Sequence, residues 1–378
     1  MSRVIDEHRQ YLSDANRVEA FRAALQRTVR PGDVVVDLGA GSGVLGLLAC
    51  QAGAGRVYAI DEGSIVGLAR DVAAASPFVD RIVHIRGLST YVTLPEPADV
   101  VVTDQIGNFG FEAGAFEYLP DARWRFLRTS GRVIPERLTM MAAPCQHAEA
   151  RGWVDFWKQP LLGLDFSRVF PLAASTQYEV LLERDNLLAP GLPIASAEVS
   201  RWSGSALKGT CVWRVERHGT LHGVGCWFSA MLCQGVELTN APESPSRIRR
   251  RHVFLPVDSI DVSEGDRIEG AITILPTTSM IDWSVSVYDS RGAMRSGSRH
   301  TTFEGLLLSA EDLRRTSPLA TPTLSRPGQA RRLILDLCDG TCPVAEIERR
   351  VAEEFVDLFP HASDSSRFVA QVLVCHAG

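Results

Sequence analysis

The chain carries no excess of basic residues. Lysine and arginine number 39 against 45 aspartates and glutamates, a formal net charge of −6. Neutralising a phosphate backbone takes a basic face, so no nucleic-acid partner is expected. The eight cysteines form no C-x-x-C pair, and the closest two, Cys338 and Cys342, have three residues between them. Scattered thiols of this kind suit a reducing compartment, so a cytoplasmic protein without a metal site is expected. No apolar run reaches the ~20 residues of a membrane span. The opening MSRVIDEHRQ is charged and lacks the apolar centre of a signal peptide, so no membrane partner is expected. What remains is globular: 378 residues, 45% hydrophobic and 22% charged, enough for two or three domains with their own cores.

The most informative stretch is VVVDLGAGSGVLGLLACQAGAGRVYAID, from Val34 to Asp61. Its opening valines read as a strand buried on both faces of a parallel sheet. Asp37 follows, then Gly39, Gly41 and Gly43 alternating with small residues. Such a turn needs residues that tolerate positive φ and let a ligand approach the backbone. A helix pattern runs from Val44 to Ala52, and a second strand from Arg56 to Ile60 ends on Asp61. A carboxylate at that strand tip is placed for ribose hydroxyls. The glycine spacing is G-x-G-x-G rather than the dinucleotide G-x-G-x-x-G, which disfavours NAD.

This stretch resembles the first motif of class I S-adenosylmethionine-dependent methyltransferases, and LACQAGAGRVYAID is similar to the protein arginine methyltransferase branch. The resemblance implies an α/β Rossmann-like core that binds S-adenosyl-L-methionine. It gives Gly39, Gly41 and Gly43 to the methionine half and Asp61 to the ribose, with Asp37, Ala40, Leu45, Glu62 and Asp104 as further cofactor contacts. Residues 1–30 read as one helix, with Tyr11, Val18, Phe21, Ala24 and Leu25 at helical spacing. Within it, YLSDANR resembles the family segment whose arginine pairs with the cofactor carboxylate, which implies that role for Arg17 and places Tyr11 beside the substrate. The family's aromatic lid helix lies further upstream and is shortened or absent here.

A third strand, DRIVHIRG, ends at Gly87. The family places an adenine-contacting acid shortly after that glycine; here Gly87, Leu88 and Ser89 lead into LSTYVTLP, which has none. Ser89, Thr90 or Tyr91 must substitute, or backbone and apolar contacts hold the adenine. The fourth strand, ADVVVTD, delivers Asp104 to the crevice at the carboxyl ends of the strands. The stretch from Asp104 to Glu112 resembles the loop whose two glutamates bracket a substrate guanidinium. Asp104 is one methylene shorter than the family's first acid, and Glu112 stands one position early, with Ala113 in the expected place. The resemblance implies that Asp104 and Glu112 are catalytic, Glu112 being the acid–base contributor and Glu117 an alternative. Gln105 and Asn108 would touch the substrate.

Pro135 marks a boundary near residue 136. Residues 137–300 alternate apolar runs such as GTCVWRVER, VGCWFSAML and DWSVSVYD with turn signals, which predicts an antiparallel β-barrel or sandwich. A stretch over 158–180 resembles the family's dimerisation arm, which implies a homodimer. Trp153 and Trp157 are expected in the core. After the PESP turn the family carries Thr-His-Trp, whereas this chain has Arg247-Ile248-Arg249 within a run that continues to Arg251 and His252. The run is either a solvated strand edge or a site for an acidic segment or substrate carboxylate; Arg247 and Arg249 are its candidate substrate contacts. Residues 301–325, rich in Pro, Ser and Thr, read as a linker or extended strand pair.

The last segment predicts three helices, the first over Ala330–Cys338, the second capped by Thr341, the third over Ser365–Val374. It resembles the PqqD-like winged-helix fold, which binds the leader of a precursor peptide by strand addition. The combined expectation is methylation, at nitrogen by preference, of a ribosomally made precursor peptide. Three other readings stay open: arginine N-methylation of a protein without leader recognition, methylation of a small molecule, and a catalytically reduced scaffold.

Overall fold

The computed structural model describes residues 4–307 and 309–376. The chain divides into two compact units, one reaching Leu306 and one starting at Leu307. The first unit opens with α1 (Val4–Ser13) and α2 (Ala15–Thr28). The single helix expected over residues 1–30 is therefore broken. Asp14 leaves the helical conformation and caps α2, accepting the Arg17 N–H at 3.3 Å. A side-chain oxygen facing those orphan N–H groups stabilises a new helix start, even though the apolar spacing runs across the break.

There follow β1 (Val34–Leu38), α3 (Val44–Gln51), β2 (Arg56–Asp61), α4 (Ile65–Ala74), β3 (Ile82–Arg86), β4 (Ala98–Thr103), α5 (Ala115–Arg125) and β5 (Leu127–Ile134). The five strands form a parallel sheet in the order β3-β2-β1-β4-β5. Strand order reverses between β1 and β4, so the chain leaves their carboxyl ends in opposite directions and opens a crevice there. All five residues of β1 are buried, which explains its unbroken apolar run.

The same unit continues with β6 (Arg137–Cys145), α6 (Ala148–Asp155), α7 (Phe170–Ala174), β7 (Tyr178–Val180), β8 (Leu192–Ala197), β9 (Leu207–Arg214), β10 (Gly219–Cys233), β11 (Val236–Thr239), β12 (His252–Val262), β13 (Arg267–Leu275), β14 (Met280–Tyr288) and β15 (Met294–Thr301). One antiparallel sheet runs β7-β12-β10-β6-β8, with β11 on β10; the other runs β15-β14-β13-β9. Trp213, Trp227 and Trp283 fill the core, and the Trp283 indole N–H donates to the Pro256 carbonyl at 2.7 Å. Trp153 is not in it. It is 40% exposed and tilts against Tyr178, while Trp157 packs edge-on against Phe156 in the lobe that holds α7. That lobe also exposes Leu162 and Leu164.

The second unit holds α8 (Ala310–Arg315), α9 (Arg326–Asp336), α10 (Val344–Glu354) and α11 (Ala362–His376). Its core is Ile334, Ile347, Val351, Val369 and Val372. The expected linker therefore contains a helix, closed by a reciprocal Ser309–Asp312 cap. Thr341 does not cap the next helix: Pro343 precedes it, and Thr341 is turned back onto Asp339. The winged-helix arrangement lacks its strands, since no described residue of this unit is in a strand. No helix among the described residues is long and apolar enough to cross a membrane.

Candidate active site

Two cavities lie at the carboxyl ends of β1 and β4, and both are bounded by Gly39 and Gln105. The larger, about 420 Å³, is lined by His8, Tyr11 and Leu12 of α1, by Arg17, by residues 39–42, 44 and 45, by the loop 104–108, and by Glu112, Ala113 and Arg250. The smaller, about 110 Å³, is lined by Asp61, Glu62, Gly87, Leu88, Ser89 and Tyr118. Gly39 and Gly41 take φ values of +67° and +53°. A Cβ on Gly39 would sit 2.9 Å from the Gln105 side chain, and one on Gly41 2.4 Å from the His8 ring. The turn is therefore glycine for both conformation and space.

The structure brings Ala40, Leu45, Asp61, Glu62, Gly87, Leu88 and Ser89 to the cavity walls together with these glycines. Asp61 accepts the Gly41 N–H at 2.9 Å and the Gly63 N–H at 2.7 Å, which holds its carboxylate against the turn. Of the three residues offered as a replacement for the missing acid, Ser89 lines the smaller cavity, while Tyr91 is 86% exposed. Helix α1 covers Gly41 with His8.

Two expected cofactor residues lie off the walls. Gly43 starts α3 in the left-handed conformation, against Ala69. Asp37 is fully buried; one oxygen accepts the Gly46 N–H at 2.8 Å and the other has no hydrogen-bond partner among the described residues. Burial pushes its carboxyl up to about 7, the Gly46 bond opposes this, and repulsion from Asp61 and Asp104 adds to it. A carboxyl whose folded value is raised stabilises fully below its unfolded value near 3.8, and that contribution is lost as pH rises through 7. Between pH 4 and 7 the loss reaches up to about 4 kcal/mol. The stability difference between Asp37→Asn and wild type should therefore move in the variant's favour across that window in denaturant titrations. A difference independent of pH would contradict this.

Charge converges on Asp104. Arg17 makes an ion pair and a hydrogen bond to its Oδ2, and the Arg17 guanidinium lies 4.3 Å from the centre of the Tyr11 ring. Arg250 approaches Asp104 Oδ1 at 3.6 Å while donating to the Ile106 carbonyl. The three side chains are 7–12% exposed. Asp104 Oδ1 has no hydrogen bond among the described residues and faces Arg250 across the 3.6 Å ion pair.

Glu112 lines the larger cavity, as expected of a site residue, and is also engaged by its own loop. Its carboxylate accepts the N–H groups of Phe109, at 3.0 and 3.1 Å, and Phe111, at 3.1 Å, so it folds the loop onto itself. Burial raises its pKa and these bonds oppose the rise. Its position one residue early thus places an acid that shapes the loop as well as lining the cavity. Glu117 is exposed on α5 and off the wall. Asn108 lines the larger cavity and donates to Glu179 at 3.0 Å.

Arg247 and Arg249 are not pocket residues. Arg247 pairs with Glu183 at 2.8 Å and with the Pro242 carbonyl at 3.0 Å. Arg249 is exposed, and it is its backbone N–H that meets Asp14. Arg250 is the arginine that enters, and the sequence offered no periodicity to single it out. Asn240 was also unforeseen. Fully buried, it accepts the Phe228 N–H at 2.9 Å and donates to the carbonyls of Asn108, at 2.9 Å, and Arg251, at 2.8 Å. It thereby clasps the Asp104 loop to the arginine segment. His252 accepts the Leu182 N–H on Nδ1, so its Nε2 carries the proton given to the Asn240 carbonyl at 2.6 Å. No group of His, Cys, Asp or Glu among the described residues could hold a metal ion.

Residues 22–109 match the family model described as ribosomal protein L11 methyltransferase (PrmA). The chain is 24% identical over 280 residues to protein arginine N-methyltransferase 1 of Saccharomyces cerevisiae, covering 71% of this chain and 80% of the yeast protein. Among solved structures it is similar to the Trypanosoma brucei PRMT1 enzyme–prozyme heterotetrameric complex with AdoHcy. The TM-score there is 0.69 at 19% identity, over 78% of this chain and 97% of that one. Arabidopsis thaliana protein arginine methyltransferase 10 gives 0.66 at 20% identity, with coverage of 78% and 97%. The parallel sheet followed by antiparallel sheets is shared with these structures.

Proposed function

We propose that this S-adenosylmethionine-dependent methyltransferase methylates a guanidine nitrogen of arginine in a protein or peptide. The observation that carries the reading is the buried Asp104 carboxylate on the cavity wall, shared by Arg17 and Arg250 and with no hydrogen bond to one of its oxygens, beside the glycine turn. The residues present fit the cofactor. Gly39 and Gly41 present bare backbone in the left-handed conformation to the cavity, Asp61 offers a carboxylate to ribose hydroxyls, and Arg17 offers a fork-shaped donor to the methionine carboxylate. When bound, the cofactor supplies an electrophilic methyl group.

The protein's own contribution is orientation. A guanidinium is planar and has only donors. Asp104 accepts from it, draws positive charge toward itself, and leaves electron density on the nitrogen that faces the methyl. Holding that nitrogen in line supplies much of the barrier reduction. Glu112 keeps the loop in shape, and Asn240 keeps the loop in place. The similarity to arginine methyltransferases supports this acceptor over a ribosomal precursor peptide. For the latter, strand addition would need a sheet edge, and the described residues of the second unit have none.

The test is methyl transfer to an arginine peptide and to the same peptide with lysine in its place. Transfer confined to the arginine peptide is expected; transfer to both, or to lysine alone, would overturn the acceptor. Removing residues 307–378 should change the KM of a short arginine peptide less than twofold, whereas leader recognition by the second unit would raise it severalfold for a leader-bearing peptide only.

A further inference from the structure

The run from Arg247 to Arg251 sends its four arginines to different places. Arg247 is held by Glu183. Arg249 and Arg251 are exposed, and their side chains make no ion pair among the described residues. Arg250 alone turns inward. Its side chain is 12% exposed, it gives one hydrogen bond to the Ile106 carbonyl, and it shares Asp104 with Arg17. The charged groups Arg17, Arg250, Asp104 and Glu112 on the cavity wall are two guanidiniums and two carboxylates, and Glu112 is held by its own loop, which leaves Asp104 as the carboxylate that both guanidiniums share.

A substrate arginine entering here finds Asp104 already claimed by two guanidiniums. In a sheltered pocket a third guanidinium is opposed by charge repulsion that water screens poorly. Two things relieve it: the cofactor's carboxylate, which takes up Arg17, and an anion that takes up Arg250. Resting on the arginine reading above, we propose that the acceptor arginine arrives in an acidic segment, with an aspartate or glutamate flanking it. Arg250 then exchanges Asp104 for the segment's carboxylate, and the acceptor guanidinium takes the vacated place on Asp104. The exchange conserves charge: one ion pair breaks and two form. Exposed Arg249 and Arg251, on either side of Arg250, extend the attraction to neighbouring acids in the segment. Arg250 thus selects the substrate rather than reacting with it, and arginines in neutral or basic surroundings are refused.

The test uses the full-length protein and two labelled peptides, one with glutamates flanking a single arginine and one with glutamines in those places. Binding is read by fluorescence anisotropy in the presence of S-adenosylhomocysteine, and methyl transfer as kcat/KM with S-adenosylmethionine. Wild type should favour the glutamate peptide about tenfold in both readouts. Arg250→Gln should bring the ratio close to one, and Arg250→Lys should keep most of it, which separates lost charge from a damaged fold. Raising salt should shrink the wild-type ratio without any substitution. Equal binding of the two peptides by wild type, or a preference that survives Arg250→Gln, overturns the proposal. Preferential binding that depends on Arg250 but leads to no methyl transfer would sustain the acidic docking and remove the arginine acceptor instead. Equal transfer to both peptides would do the reverse.

Discussion

Replacing Asp104 by asparagine is expected to lower methyl transfer to an arginine peptide by about 100-fold or more. The amide keeps the shape of the carboxylate and loses its charge. It cannot draw positive charge away from the attacking nitrogen, and its NH₂ group confronts a substrate that has only donors. Arg17 and Arg250 lose their shared counter-charge at the same time. Leaving buried cations unpaired costs about 3–5 kcal/mol, so the melting temperature should fall together with the rate. Rates are therefore to be measured well below the variant's transition, with circular dichroism reporting the folded fraction. A folded Asp104→Asn protein with an unchanged single-turnover rate would remove Asp104 from the reaction.

Replacing Asp61 by alanine should act on cofactor affinity. Its carboxylate lines the smaller cavity and is steadied by the N–H groups of Gly41 and Gly63. Hydrogen bonds to a charged group contribute about 1.5–3 kcal/mol each. Losing two to a ribose therefore weakens S-adenosylhomocysteine by about 100-fold or more in calorimetric titration, while the turn also loses its two anchors. Affinity within about threefold of wild type would place the ribose elsewhere and leave the smaller cavity without a ligand.

What the sequence disclosed follows from how local each feature is. The glycine turn and Asp61 lie in one strand–turn–helix–strand segment, where backbone conformation alone dictates residue type. Their convergence is legible without knowledge of the rest of the chain. Arg17 and Asp104 are 87 positions apart, and only a resemblance could bring them together. The break at Asp14 carried a local signal, a capping residue just before a helical pattern, but continuous apolar spacing outweighed it.

The acceptor side was harder to read because irregular loops build it. Residues 240–251 form no strand, so alternation could not say which arginine faces inward. That facing is decided by Asn240, whose bonds to Asn108 and Arg251 link segments far apart in the chain. Glu112 was visible as an acid, but its engagement depends on the loop folding back at Gly110, where φ is +105°. Trp153 shows the limit of composition: large apolar residues are usually buried, yet this one sits on an exposed lobe.

The most direct measurement is fragmentation mass spectrometry of an arginine peptide, with flanking glutamates, after incubation with the protein and S-adenosylmethionine. The expected result is a methyl group on the arginine guanidine, absent with Asp104→Asn. A methyl on a carboxylate, on lysine or on the peptide terminus, or an unmodified peptide despite tight S-adenosylhomocysteine binding, would contradict the assignment of this cavity to an arginine acceptor.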